Sequence, residues 1–126
     1  NFANVSGDNF YAHMDATSLD GTIFEQRVAH GYFILSKAAG LFVDPKKGPV
    51  LLNYGLDEAR FIKPVYPGAT IGVRFTVKEK MDQEKRSEDD IAKGIVRFLV
   101  DVYDETGETV ALATILTMVK KIDQSQ

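Results

Sequence analysis

The spacing of apolar residues along this chain changes near position 50. Upstream, residues 27–42 read RVAHGYFILSKAAGLF, and only Ser36 and Lys37 interrupt the apolar run that follows Gly31. A helix that is apolar on nearly all sides is buried, and one of about 12–15 residues is shorter than the ~20 needed to span a bilayer. This pattern predicts a helix that ends near Phe42 and is enclosed by the rest of the domain.

Downstream, the apolar residues follow the two-residue period of β-strands. Ile71, Val73, Phe75 and Val77 alternate with polar or small residues, which is the pattern of a half-buried strand. One long helix followed by antiparallel strands predicts an α+β domain, in which a sheet of five or more strands curls around the helix. The predicted elements are strands at residues 50–62, 70–78, 94–103 and 109–121 and a short helix at residues 10–15.

Composition excludes several classes of function. The 126 residues carry 15 Lys and Arg against 18 Asp and Glu, a formal charge of −3, whereas nucleic-acid binding requires a basic face. The absence of cysteine excludes disulfides, thiolate zinc sites and a cysteine nucleophile. With no recognisable signal peptide or membrane span, a cytoplasmic protein is expected. The chain begins at Asn1 without a methionine and reads like the middle of a domain, so we expect a fragment or module of a longer polypeptide.

Residues suited to proton transfer lie in the first third of the chain. Asp8 and His13 can accept and donate protons, and Gly31 lies where the start of a helix presents backbone N–H groups to negative charge. Five residues on a helix correspond to a rotation that leaves two side chains ~140° apart. Spacing alone therefore does not pair Asp8 with His13, and Asp8 must lie in the turn before the helix. Asp8 as a simple N-cap and His13 as a buried, hydrogen-bonded residue are the alternatives.

Three motifs in this order resemble those of one enzyme family. They are Ser6-Gly7-Asp8 followed by His13, then Val28-Ala29-His30-Gly31, then Arg60-Phe61 with Pro64-Val65-Tyr66-Pro67-Gly68. The chain is similar in this respect to the MaoC-like (R)-specific enoyl-CoA hydratase domains, and the resemblance covers nearly all of residues 1–126. It implies the hot dog fold, in which a curved antiparallel sheet wraps around a long central helix. It also implies a homodimer, or a higher oligomer of dimers, that closes the open sheet edge.

One departure from the family motif narrows the resemblance. The family signature places Asn, Pro and an aliphatic residue where this chain has Phe10, Tyr11 and Ala12, while the spacing from Asp8 to His13 is kept. The amino-acid sequence resembles the ring-opening oxepin-CoA hydrolase domains of bifunctional phenylacetate degradation proteins more than it resembles the general family signature. In those proteins the domain is joined covalently to an aldehyde dehydrogenase, which the resemblance implies as a partner here.

The resemblance implies roles for particular residues. Asp8 and His13 would activate water, and the Gly31 N–H would stabilise the thioester oxygen. A CoA thioester would be the substrate, with no separate cofactor and no metal, although two histidines and a carboxylate can hold iron or zinc. His30 is expected to be mainly structural, bonding backbone near the helix entry. The residues expected to line the substrate pocket, unless they are plain core, are Phe10, Tyr11, His30, Phe33 and Tyr54.

The predicted function is ring-opening hydrolysis of an unsaturated cyclic CoA thioester by Asp/His-activated water. The first alternative is (R)-specific hydration of linear enoyl-CoA by the same residues. A hot dog thioesterase is a second alternative, but that class lacks the Asp/His pair. A non-catalytic module that binds acyl-CoA or drives oligomerisation is the alternative of another class. Lys46, Lys47 and Lys63 are candidates to meet the CoA phosphates, although surface lysines are usually only solvated.

Overall fold

The computed structural model describes residues 1–125. The helices are α1 (Phe2–Ser6), α2 (Tyr11–Met14) and α3 (Gly31–Phe42), with a 3₁₀ turn at Ala16–Ser18. The strands are β1 (Val50–Phe61), β2 (Ile71–Asp82), β3 (Lys93–Asp104) and β4 (Thr109–Lys120). The predicted long helix and the strands thus lie close to where the pattern put them.

The four strands form one antiparallel sheet in the order β1-β4-β3-β2. At one end of the β1–β4 pair the Ile62 N–H donates to the Val110 carbonyl, and at the other the Lys120 N–H donates to the Pro49 carbonyl, both at 2.8 Å. Rising numbers on one strand meet falling numbers on its neighbour, so the two strands run in opposite directions. The prediction of an α+β domain with an antiparallel sheet is confirmed.

The expectation of five or more strands is wrong for residues 1–125, which contain four. The period-two pattern itself marked only four segments, and the larger number came from the usual size of sheets. Residues 1–30 form short helices and turns instead of a strand.

Helix α3 is less enclosed than its composition predicted. Ile34 and Ala38, one helical turn apart, are buried, whereas Tyr32 is 68% exposed and Leu41 49% exposed. A single chain covers one stripe of the helix, and apolar composition does not reveal what covers the rest. No helix among residues 1–125 is long and apolar enough to cross a membrane.

The described residues form two compact units. The first comprises residues 1–42, 61–73 and 102–111, and therefore holds the three helices and the turn between β3 and β4. The second comprises residues 43–60 and 74–101 and the chain from residue 112 onward. Asp8, His13 and Gly31 all belong to the first unit.

A small apolar cluster places α2 in the first unit. Ala12, Leu19 and Val28 are buried together, and Phe24 and Tyr66 pack against them. Ala12 is completely buried, and its burial fixes the short helix that carries the next residue, His13. Four residues of helix could not hold their conformation alone, so this packing decides where the histidine points.

An ion-pair cluster anchors the β3–β4 hairpin. The Lys63 ammonium donates to a carboxylate oxygen of Asp104 at 2.7 Å and also contacts Glu108. The other oxygen of Asp104 accepts from the Thr106 N–H at 2.9 Å and hydroxyl at 2.6 Å. The Lys63 ammonium, followed by the Thr106 bonds, holds the pKa of Asp104 well below its usual range, and the two carboxylates raise the pKa of Lys63.

Replacement of Asp104 by Asn should destabilise the domain in a pH-dependent way. Because the folded-state pKa of Asp104 lies below its usual 3.8, its contribution is complete above about pH 5 and disappears as the pH falls through the folded pKa. Asp104→Asn should therefore lower the melting temperature near neutral pH by about 3–8 °C, and the difference from wild type should shrink below about pH 3.

Thermal unfolding across this pH range measures the effect, with Glu88→Gln in the exposed charged loop as the control. A destabilisation that is the same at every pH would contradict the ion-pair explanation.

Candidate active site

Asp8 lies in the turn between α1 and α2, as its spacing from His13 requires. Gly7 ends α1 with φ of 80°, a left-handed conformation that glycine adopts without steric cost. The Asp8 N–H donates to the Ser6 hydroxyl at 3.1 Å, and the Asp8 carboxylate accepts the Phe10 N–H at 3.2 Å. Phe10, not Asp8, is the N-cap of α2. The carboxylate thus shapes the turn and keeps its second oxygen for other partners.

His13 is oriented by a backbone carbonyl. Its Nδ1 lies 2.8 Å from the Val28 oxygen, and since a carbonyl only accepts, Nδ1 must carry the proton. Nε2 is then the basic nitrogen. The Val28 N–H in turn donates to the Ala12 carbonyl at 3.0 Å, so the same segment fixes α2 and the ring that α2 carries.

His30 also bonds a backbone carbonyl, but not one at the helix entry. Its Nε2 lies 2.9 Å from the Asp8 oxygen, and the residue is only 8% exposed. The His13 and His30 rings are stacked with their centroids 3.9 Å apart and their planes at 22°. The Phe2 ring meets His30 edge-on at 4.8 Å. His30 therefore touches both candidate catalytic residues.

Asp8, His13 and His30 form one cluster. One side-chain atom of each, a carboxylate oxygen or a ring nitrogen, lies within 4.8 Å of the others. A single water can bridge groups at this separation with two hydrogen bonds of ordinary length. Two imidazoles and a carboxylate are also a donor set that a divalent metal ion accepts. Proton transfer and metal binding are therefore both within the chemistry of the cluster.

Gly31 opens α3 immediately after His30. The first bond of the helix runs from the Ile34 N–H to the His30 carbonyl at 3.1 Å, so the N–H of Gly31 has no partner inside the helix. The Phe61 ring lies so close that a Cβ at position 31 would stand 2.6 Å from it. Only glycine fits beneath this ring, and the positive end of the helix dipole lies at this residue.

His13 and Gly31 both line a cavity of about 400 Å³. Its wall is mostly apolar, with the ammonium-bearing Lys63 already engaged by two carboxylates. Asp8 does not line this cavity. Its carboxylate approaches His13 in the cluster formed by Asp8, His13 and His30. The apolar part of the wall includes Phe24, Val28, Ile34, Phe61, Val65 and Val110.

The residues predicted to bind substrate do not all lie near His13. The Phe10 ring lies 5.8 Å from the His13 ring, and Tyr11 follows at 4.7 Å from Phe10. Phe33 and His30 line a second hollow of about 490 Å³ that also includes His13. Tyr54 belongs to the second unit and is 55% exposed. Lys46 and Lys47 are exposed.

Sequence reasoning missed two contributors to this site. Phe61 was noted only as part of a motif, yet its ring covers Gly31. The Val28 carbonyl, which sets the tautomer of His13, carries no side-chain signal at all. Backbone acceptors of this kind become visible only once the chain is folded.

The chain is similar to known proteins over most of its length. The family model described as "MaoC like domain" matches residues 1–97. The chain is 55% identical over 92 residues to Protein MaoC of Klebsiella aerogenes, a match that covers 73% of this chain and 28% of that protein. The chain thus spans little more than a quarter of that relative's length.

Two solved structures are also similar. The "monoamine oxidase regulatory protein" of Archaeoglobus fulgius matches with a TM-score of 0.84 and 28% identity, covering 97% of this chain and 79% of that one. R-hydratase PhaJ1 of Pseudomonas aeruginosa matches with a TM-score of 0.66 and 30% identity, covering 95% of this chain and 70% of that one.

The chain belongs to the MaoC-like dehydratase domain family and has the hot dog fold.

Substitution of Gly31 by Ala should destabilise the domain, because its Cβ would collide with the Phe61 ring. Overpacking of this kind costs about 1–3 kcal/mol. Gly40→Ala in the same helix is the matched control: nothing lies within 4 Å of its added Cβ, so it should stabilise by about 0.5–1 kcal/mol.

Free energies of unfolding in urea test both changes. Gly31→Ala combined with Phe61→Leu should recover part of the loss. A Gly31→Ala variant as stable as wild type would contradict the close approach of Phe61.

Proposed function

We propose that this domain adds water to an unsaturated CoA thioester and that its substrate is a cyclic enol ether of the oxepin-CoA type, opened by the reaction. The observation that carries the proposal is the meeting of the Asp8 carboxylate with the His13 ring beside the start of α3. Hydration needs a group that takes a proton from water, a group that gives one to carbon, and donors for the charge on the thioester oxygen.

The groups have complementary roles in this scheme. Asp8 and the Nε2 of His13 hold one water, whose oxygen bonds to the β carbon while its proton passes to this pair. A proton from the pair then reaches the α carbon. In between, negative charge on the thioester oxygen is stabilised by the Gly31 N–H and the helix dipole.

Ring opening follows when the β carbon also bears the ring oxygen. The added hydroxyl makes a hemiketal, whose collapse forms a carbonyl and breaks the bond from carbon to the ring oxygen. The ring oxygen leaves as an enol, which takes up a proton at carbon and becomes an aldehyde. No redox partner is needed for these steps, since only water is consumed.

Several observations support this substrate class. The wall of the cavity beside His13 and Gly31 is mostly apolar, as an unsaturated hydrocarbon portion requires. A solved relative at 30% identity is named an R-hydratase, which also favours the runner-up, (R)-specific hydration of linear enoyl-CoA. Phe10 and Tyr11, at the positions of the family's Asn and Pro, favour the ring-opening reaction. We place that reaction in aerobic phenylacetate degradation in the cytoplasm, in a protein that also carries an aldehyde dehydrogenase domain.

We further propose that the domain works as a homodimer. Helix α3 leaves Tyr32 and Phe33 exposed at its start and Leu41 and Phe42 exposed at its end, and apolar patches of this kind mark interfaces. Strand β1 is an edge strand with almost all of its residues exposed, which is a liability unless another chain covers it. A second copy related by a two-fold axis would cover both the exposed apolar residues of α3 and the edge strand β1.

Asp8→Asn should lower the turnover of the preferred CoA substrate by a factor of about 10² or more, because the variant keeps the shape and loses the proton acceptor. Binding of the thioester should change far less. His13→Ala should be similarly slow, and the double variant little slower than either single one, since groups that act as a unit are not additive.

Crotonyl-CoA and oxepin-CoA are the two substrates to compare, each with and without a chelator, and Asp20→Asn on the exposed surface is the control. Near-normal turnover by Asp8→Asn would refute the assignment. Consumption of crotonyl-CoA alone would select the linear hydratase, and binding without turnover of either would select the non-catalytic module. Loss of turnover on chelation would assign the cluster to a metal.

Leu41→Glu should convert the dimer into monomers, because a charge placed in an apolar interface loses its hydration. Sedimentation at micromolar concentration measures the change. Glu88→Lys in the exposed loop should leave the dimer intact. A wild-type monomer at that concentration would contradict the proposal.

A further inference from the structure

We propose that His30 is the positioning residue of this site, which holds Asp8 with its Nε2–H and the His13 ring by stacking. This inference rests on the proposed function, because it matters to catalysis only if Asp8 and His13 act together. His30 is the one residue of the cluster in direct contact with both of the others.

The bond to Asp8 matters because the turn that carries Asp8 is otherwise held by local bonds. Asp8 bonds Ser6 two residues before it and Phe10 two residues after it, and Gly7 bonds Ala3. Among the hydrogen bonds described for residues 7–10, the bond from His30 is the only one between residues far apart in the sequence, with a separation of 22 positions. Local bonds give a turn its shape, whereas a long-range bond gives it its place beside α3.

The stacking contact matters because a single hydrogen bond still allows a ring to tilt about that bond. The Val28 carbonyl holds Nδ1 of His13 at 2.8 Å, but the ring can still tilt about that bond. The stacked His30 ring, with its centroid 3.9 Å away and its plane at 22° to that of His13, opposes the tilt and keeps Nε2 of His13 pointing in one direction. The His30 ring is itself held by Phe2, which meets it edge-on.

The ring proton of His30 is already engaged. Its Nε2 is committed to the Asp8 carbonyl at 2.9 Å, and the residue is 8% exposed. A carbonyl only accepts, so Nε2 carries the proton. The position immediately before Gly31 also ties the cluster to the helix start, since the His30 carbonyl accepts the first bond of α3.

Two substitutions separate the two contacts. His30→Phe keeps a ring that can stack on His13 and removes the donor to Asp8, whereas His30→Gln keeps an N–H donor and removes the ring. Each should lower kcat by about 10- to 100-fold, with KM changed less than threefold, because misplacing a catalytic group mainly raises the barrier.

The non-additive readout distinguishes positioning from simple structural support. If His30 acts through Asp8, His30→Phe should cost about 10-fold or more in wild type and less than about twofold in an Asp8→Asn background. A cost that is equal in both backgrounds would overturn the inference, as would kcat within twofold of wild type for His30→Phe. Full activity of Asp8→Asn alone would instead refute the proposed function and is a separate result.

A measurement on the unmodified protein covers the case in which the variants do not fold. Nitrogen-15 NMR of the histidine rings reports which nitrogen carries the proton. We expect the proton on Nε2 of His30 and on Nδ1 of His13. A His30 ring protonated only on Nδ1 cannot donate to the Asp8 carbonyl and would overturn the proposal.

Discussion

The backbone of Val28 and Ala29 is the constraint on which the site depends. The Val28 N–H donates to the Ala12 carbonyl, and the Val28 carbonyl accepts from the His13 ring. The Ala29 N–H then donates to the Val65 carbonyl at 2.8 Å. The backbone of Val28 and Ala29 thus joins α2, the loop after β1 and the start of α3. Buried backbone groups must find partners, and here their partners set the tautomer of His13.

The loop that receives Ala29 is anchored in turn by the hairpin ion pair. Lys63 stands two residues before Val65 and is held by Asp104 and Glu108. Its own N–H donates to the Val110 carbonyl at 3.2 Å. The ion pairs of this cluster therefore hold the backbone of the loop in place. Because the Lys63 ammonium is already paired with two carboxylates, Lys63 is a poor candidate to bind the phosphates of CoA.

Family membership and chemistry rest on different evidence. The matched family model and the relatives establish a MaoC-like hot dog domain, but one fold serves many reactions, and a substrate must be argued from its site. The argument for hydration comes from Asp8, His13 and Gly31 in one unit. The argument for ring opening comes from Phe10, whose ring lies 5.8 Å from that of His13, and from Tyr11, which packs against Phe10.

The sequence by itself determined the elements and their class, because periodicity is a local property. The two-residue alternation at Ile71–Val77 and the apolar run after Gly31 placed β2 and α3 correctly. Tertiary structure alone decided that one stripe of α3 is buried, that the strands lie in the order β1-β4-β3-β2, and that His30 bonds Asp8. Each of these depends on residues distant in the chain, and contacts between distant residues leave no period in the sequence.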